Sequence, residues 1–218
     1  MLDLGTPAVR RVLWLLGPRL LDLGVFHATL IMMTNLASRL GPGSVSALEW
    51  GWDAMQLPET IIGTAFGLVA FPTLAELAAQ GDLAGLRRTL YQTLRVVVVL
   101  TVPAAAGLIL FGRPLLQLLY QRGAFDVHST EAVYVALRFY ALGLVGHASL
   151  ELVARAFFAR QDTITPLLLA TASALVNIVL GLLLMGPLGF GGLALANSIA
   201  VTAEVIVLFL LLRRPGRW

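Results

Sequence analysis

The residues best placed to do chemistry in this sequence are charged or polar side chains set inside long apolar stretches. Glu49, Asp53 and Gln56 form the densest group. At about 100° per residue they fall near 0°, 40° and 340° on a helix, which is one face. Thr60, Gly63 and Gly67 are expected to continue that face. Such a strip suits a helix lining a water-filled cavity. It also suits acids at the membrane interface above a Gly63-x-x-x-Gly67 helix-packing stripe. A second group, His147, Glu151 and Arg155, follows i, i+4, i+8 spacing and can pair along one helix face. Glu151 with Arg155 reads as a structural ion pair, and the alternative reading is a proton- or ion-coupled role for His147 and Glu151. Arg138 lies nine residues before His147 and so points to the opposite face. It could meet an anionic headgroup or substrate, or an acid such as Glu49 or Asp53 on a neighbouring helix. Asn35 and Asn177 read as interhelical hydrogen-bonding residues, and Asn197 shares a face of the sixth span with Glu204.

Other chemistries are excluded or unsupported. The chain has no cysteine, which rules out disulfides, thiolate metal sites and thiol nucleophiles. Its three histidines lack metal-ligand spacing, so no metal or other cofactor is expected. No nucleophile–base pair or phosphate-cradling glycine loop is present, and an enzyme is not expected.

The elements that must position these side chains follow from composition. Of 218 residues, 58% are hydrophobic and only 12% charged, and mean hydropathy is +0.87. Soluble domains average about 25% charged residues, so this chain is solvated mainly by lipid. At about 20 apolar residues per crossing, an all-α membrane protein of about six transmembrane helices is expected. The spans read as 20–40, 45–77, 94–120, 130–159, 166–184 and 192–212, with Gly41-Pro42-Gly43 breaking the first from the second. Pro58 is expected to kink the second. Residues 1–18 read as a cytoplasmic or interfacial lead-in, 19–213 as one six-helix lobe and 214–218 as a cytoplasmic tail. Met1 to Thr6 carries no basic region of the kind that opens a signal peptide.

All fifteen basic residues other than histidine are arginine, and net charge is +3. A pI near 9.9 would suggest nucleic acid as partner in a soluble protein. Here arginine placement argues for a membrane anchor instead, with no nucleic-acid partner. Arg10, Arg11, Arg19, Arg87, Arg88 and Arg95 flank alternate connections on one side, as do Arg155 and Arg160 at the end of the fourth span and Arg213, Arg214 and Arg217 at the tail. By the positive-inside rule both termini are expected to face the cytoplasm.

At the loop before the fourth span the sequence becomes recognisable. Tyr120-Gln121-Arg122-Gly123-Ala124-Phe125-Asp126, then Ala136-Leu137-Arg138-Phe139-Tyr140-Ala141-Leu142-Gly143-Leu144, resembles the MurJ (MviN) lipid II flippase family of the MOP exporter superfamily. Arg155-Ala156-Phe157-Phe158-Ala159-Arg160-Gln161-Asp162-Thr163-Ile164-Thr165-Pro166 and Gly189-Phe190-Gly191-Gly192-Leu193-Ala194-Leu195-Ala196 continue the resemblance. So do Met55-Gln56-Leu57-Pro58 and Gly63-Thr64-Ala65 upstream. It covers the chain from about Gly17 onward and is similar to the family's seventh to twelfth helices, the carboxy-terminal lobe of a two-lobed transporter.

The resemblance implies a place in the bacterial cytoplasmic membrane and alternating access between two six-helix bundles. The cargo would be a polyprenyl-pyrophosphate-linked cell-wall precursor held by cations, and the partner an amino-terminal lobe that this sequence does not include. A flippase for another lipid-linked glycan and a non-transporting membrane scaffold are the competing readings. Family members usually carry a cavity arginine where this sequence has Asp53. An acid repels a pyrophosphate, which leaves three options open: a different substrate, compensation by Arg138, or no transport.

Overall fold

The computed structural model describes residues 7–213, with side chains from Leu20 onward except Asp22. Among the described residues every element is helical. Six helices follow in order: α1 Pro7–Ser38, α2 Ser44–Gln80, α3 Leu83–Tyr120, α4 Val127–Ala159, α5 Ile164–Leu188 and α6 Phe190–Arg213. Helices α2 to α6 are each long and apolar enough to cross a bilayer, and α1 adds the shorter apolar stretch Leu23–Ser38. The chain is a multi-pass membrane protein. The expected tail at 214–218 lies outside the described residues, and α1 passes through Pro18 without a break.

Local chemistry sets the helix ends. Gly81 takes the left-handed conformation that closes α2 (φ 74°), where a side chain would add strain. Asp82 then caps α3 by accepting the Gly85 N–H at 2.8 Å. Asp126 caps α4, accepting both the N–H of Ser129 at 2.8 Å and its hydroxyl at 2.9 Å. Those two donors hold the Asp126 carboxyl below the usual carboxylate value. Asp162 accepts the Thr165 N–H at 3.0 Å and hydroxyl at 2.7 Å, which fixes the start of α5.

Helix α4 is the core. Half of its most apolar window is buried, against 11% for α5. It packs on α2, α3 and α6, while α5 lies mainly on α6 and α1. Small residues let the backbones approach. Gly51 of α2 sits where an added Cβ would come within 2.8 Å of the Ala136 Cβ, and Gly143 of α4 where it would meet the Ser198 Cα of α6 at 2.8 Å. The Ser198 hydroxyl donates to the Phe139 carbonyl at 2.7 Å, and the Tyr134 hydroxyl to Ile109 at 2.7 Å. Arg113 of α3 pairs with Glu131 of α4. The apolar side chains left exposed, such as Val69, Leu110 and Leu118, face the lipid that the composition requires.

Helix α2 departs from a regular helix at one place. Two residues after Pro58, Thr60–Thr64 forms a single π-helical turn. A π turn accommodates one extra residue, so everything after it is set back by about 100°.

Candidate functional site

The π turn decides which face each polar residue of α2 presents. Before it, Ser44, Ala47, Leu48, Gly51, Ala54 and Met55 are buried. Glu49, Asp53, Gln56 and Thr60 are exposed, and at 100° per residue they point directly away from that buried face. The first three expected site residues therefore do share one open face. The expected continuation does not hold. In an unbroken α-helix Gly63 and Gly67 would lie at about 120° and 160° from Gly51, below the acids. The π turn brings them back onto α4, together with buried Ala70 and Leu74. A Cβ at Gly63 would come within 2.7 Å of the Ala148 Cα, and one at Gly67 within 2.6 Å of the Arg155 Nε. The glycines pack helices, and the polar strip ends at Thr60.

Beside those glycines lies a second polar group, between α2 and α4. Arg155 donates to Glu151 at 2.9 Å, the ion pair expected from spacing. Its side chain is 20% exposed, and its stem fills the space Gly67 leaves. Glu59, half-buried, adds a second carboxylate within electrostatic reach of Glu151. Its Oε1 lies 2.9 Å from the Cβ position of Gly63, and the Thr60 hydroxyl donates to its Oε2 at 3.5 Å. Glu59 was not singled out by sequence. The available signal was an acid inside an apolar span, which insertion scales make costly by about 2.5–3.5 kcal/mol.

His147 lies one turn above Glu151 on α4. Its Nε2 donates to the Asn197 Oδ1 of α6 at 3.0 Å. Its ring meets Trp52 of α2 edge-on at 5.0 Å, and Trp52 meets Tyr140 at 5.3 Å. His147 thus joins three helices. Sequence spacing placed it with Glu151 but gave no view of Trp52 or Asn197 as its partners.

Arg138 stands apart. It is exposed on the side of α4 opposite His147, and its guanidinium lies 5.0 Å over the Phe139 ring. It pairs with neither Glu49 nor Asp53, because α2 packs on the other side of α4. The four cavity candidates therefore divide into an acidic face on α2 and a single cation on the far side of α4.

Comparison with known proteins identifies the family. The family model for "Lipid II flippase MurJ" matches residues 2–217. A lipid II flippase MurJ of Burkholderia cenocepacia is 33% identical over 210 residues, which is 96% of this chain and 41% of that protein. A probable lipid II flippase MurJ of Rhizobium meliloti is 35% identical over 213 residues, 98% of this chain and 40% of that protein. Among solved structures, a lipid II flippase MurJ in an inward closed conformation superposes with a TM-score of 0.80 at 26% identity, covering 90% of this chain and 42% of that one. A MATE structure superposes with a TM-score of 0.84 at 15% identity, covering 95% and 47%, which shows the shared fold alone. The chain spans about two fifths of the length of the curated relatives it matches, as their carboxy-terminal lobe. With a family model matched across nearly its whole length and a solved member sharing its fold, the chain belongs to the lipid II flippase MurJ family.

Proposed function

We propose that this lobe is the carboxy-terminal half of a flippase that moves a polyprenyl-pyrophosphate-linked cell-wall precursor, lipid II or a close relative, across the bacterial cytoplasmic membrane. It works by alternating access against an amino-terminal lobe, with both termini in the cytoplasm. The observation that carries this reading is the open face of α2. Glu49, Asp53 and Gln56 lie on a membrane-length helix, point away from the lobe's own core and have no ion partner among the described residues. Glu49 and Asp53 lie in the first three turns of α2, near the edge of the hydrocarbon, and their shared face, turned away from the lobe's core, suits the outer end of a cavity wall between two lobes.

The polarity of the face says how the work is divided. It is acidic, so cations of the other lobe hold the pyrophosphate, and Glu49 and Asp53 orient those cations or receive them between cargo loads. His147, Glu151 and Glu59 lie behind the face, at the α2–α4 contact, where a proton or small cation could couple to movement of α2. A flippase of the same fold for a different lipid-linked glycan is the second reading, and Asp53 is what favours it.

Complementation tests both. The chain is expressed alone and joined to the amino-terminal lobe of a relative, in cells depleted of their lipid II flippase. Rescue only by the joined protein is the expected result. Rescue that appears only with Asp53→Arg in the joined protein assigns the natural cargo to another glycan. Failure of every version, with membrane insertion confirmed, overturns the flippase reading.

A further inference from the structure

The side of α4 that carries Arg138 also borders a long apolar groove. It is a shallow, open groove along α6 beside Leu142 of α4, has a volume of about 390 Å³ and is lined on α6 by Leu195, Ser198, Ile199, Thr202 and Ile206. Its two hydroxyls are turned inward. Ser198 donates to the Phe139 carbonyl at 2.7 Å and Thr202 to the Ser198 carbonyl at 2.7 Å, so the lining offers mostly carbon. The helices run parallel here, since Phe139 meets Gly191, Gly143 meets Ser198 and Gly146 meets Thr202 in order along both. From Leu195 to Ile206 the groove extends about 16 Å at 1.5 Å per residue, the length of a fatty acyl chain.

Arg138 stands at the head of this groove, one turn above Leu142 on the same face of α4. Its guanidinium is drawn toward α6 over the Phe139 ring at 5.0 Å, and that ring fills the space left by Gly191 at the start of α6. It is exposed and forms no ion pair among the described residues. Depth is consistent with a headgroup. Arg138 lies about 17 Å along a helix about 50 Å long, which centred on a hydrocarbon layer of about 30 Å puts its Cα about 7 Å below the edge. Helix side chains lean toward the N-terminal end, and an arginine can reach the interface from that depth.

The geometry points to a bound phospholipid of the surrounding bilayer with an anionic headgroup: the phosphate on Arg138 and one acyl chain along the α4–α6 groove. The occupant follows from charge complementarity, because a lone cation at the interface end of an apolar groove selects a lipid that brings both an anion and a chain. This site is on the opposite side of α4 from α2 and does not depend on the cargo proposed above.

Native mass spectrometry of the whole chain in detergent tests it, with dioleoyl phosphatidylglycerol and dioleoyl phosphatidylcholine as probes. The chain is expected to retain phosphatidylglycerol about fivefold more tightly, the discrimination expected of one basic residue near the membrane surface. Arg138→Gln should abolish the preference, and Arg138→Lys should keep most of it. Ala203→Phe, at an exposed position lining the same groove, should weaken retention of both lipids without altering the preference. Equal retention of the two lipids by the unaltered chain overturns the proposal, as does a preference that survives Arg138→Gln. So does a polyprenyl pyrophosphate that displaces phosphatidylglycerol at equal concentration, which would make the groove a cargo site.

Discussion

Deleting a residue from the middle of a transmembrane helix should wreck its packing, yet in α2 one deletion should be tolerated. The π turn at Thr60–Thr64 holds one residue more than an α-helix of the same phase needs. Ile61 lies inside that turn and is 71% exposed. Removing it lets the turn close to regular α geometry while Gly63, Gly67, Ala70 and Leu74 keep their directions toward α4. The cost should be below about 1 kcal/mol, since no buried contact is lost. Removing Val69, also well exposed at 78%, has the opposite effect. No surplus residue exists there, so Ala70 and Leu74 turn by about 100° and Leu74, wholly buried, leaves its site. In lipid the loss is packing rather than hydrophobic transfer, but an emptied leucine site still costs about 2–5 kcal/mol. Unfolding in detergent, followed by helicity, compares the two. Equal destabilisation by both deletions would refute the assignment of helix phase to the π turn.

Three other perturbations test separate parts of the lobe. Gly143→Ala drives a Cβ to 2.8 Å from the Ser198 Cα and against its hydroxyl, so α4 and α6 must part and the Ser198–Phe139 bond lengthen. Unfolding measurements should show a loss of about 2–4 kcal/mol, whereas Gly107→Ala, with open space around it, should be neutral or stabilise by up to about 1 kcal/mol. Glu151→Gln removes the partner of Arg155 at 2.9 Å, but Glu151 is 43% exposed, so the same assay should register only about 1 kcal/mol. The third concerns acid. Because Ser129 holds the Asp126 carboxyl below its ordinary value, its stabilisation is complete above the unfolded value and fades as pH falls through the lower folded one. Fluorescence of Trp50, whose ring is 5.8 Å from Phe125 in the adjoining loop, should report that fading, and Asp126→Asn should remove the pH dependence while keeping the cap.

What the sequence made legible was local. Apolar runs located the helices because lipid demands them, and Gly41-Pro42-Gly43 marked the first break where α1 ends at Ser38 and α2 begins at Ser44. The third helix was read from residue 94, but α3 begins at Leu83; its first turns carry Arg87, Arg88 and Arg95, and a hydropathy pattern cannot see a helix continue beyond the lipid. The Glu151–Arg155 pair was legible because i, i+4 geometry is fixed by the backbone. The His147–Asn197 bond, across 50 residues, was not, since it depends on how α4 crosses α6. The misplaced glycines have a sharper cause. Reading Gly63 and Gly67 onto the acidic face assumed 100° per residue throughout, and the π turn breaks that assumption where two readings of the same residues diverge.

The distribution of charge separates what holds this lobe together from what it offers outward. Arg113 with Glu131 ties α3 to α4, while Arg155 with Glu151 is answered within α4 itself. Glu49, Asp53 and Arg138 have no ion partner among the described residues, and they sit on opposite sides of the α2–α4 pair. Charges of opposite sign kept apart by a packed core cannot neutralise one another, which leaves each open to partners from outside. On the readings proposed above, the acids await the cations of a second lobe and the arginine the anions of the bilayer. Changing each charge in turn would test that division: Asp53→Arg should alter transport by the joined protein and leave phosphatidylglycerol retention intact, while Arg138→Gln should do the reverse.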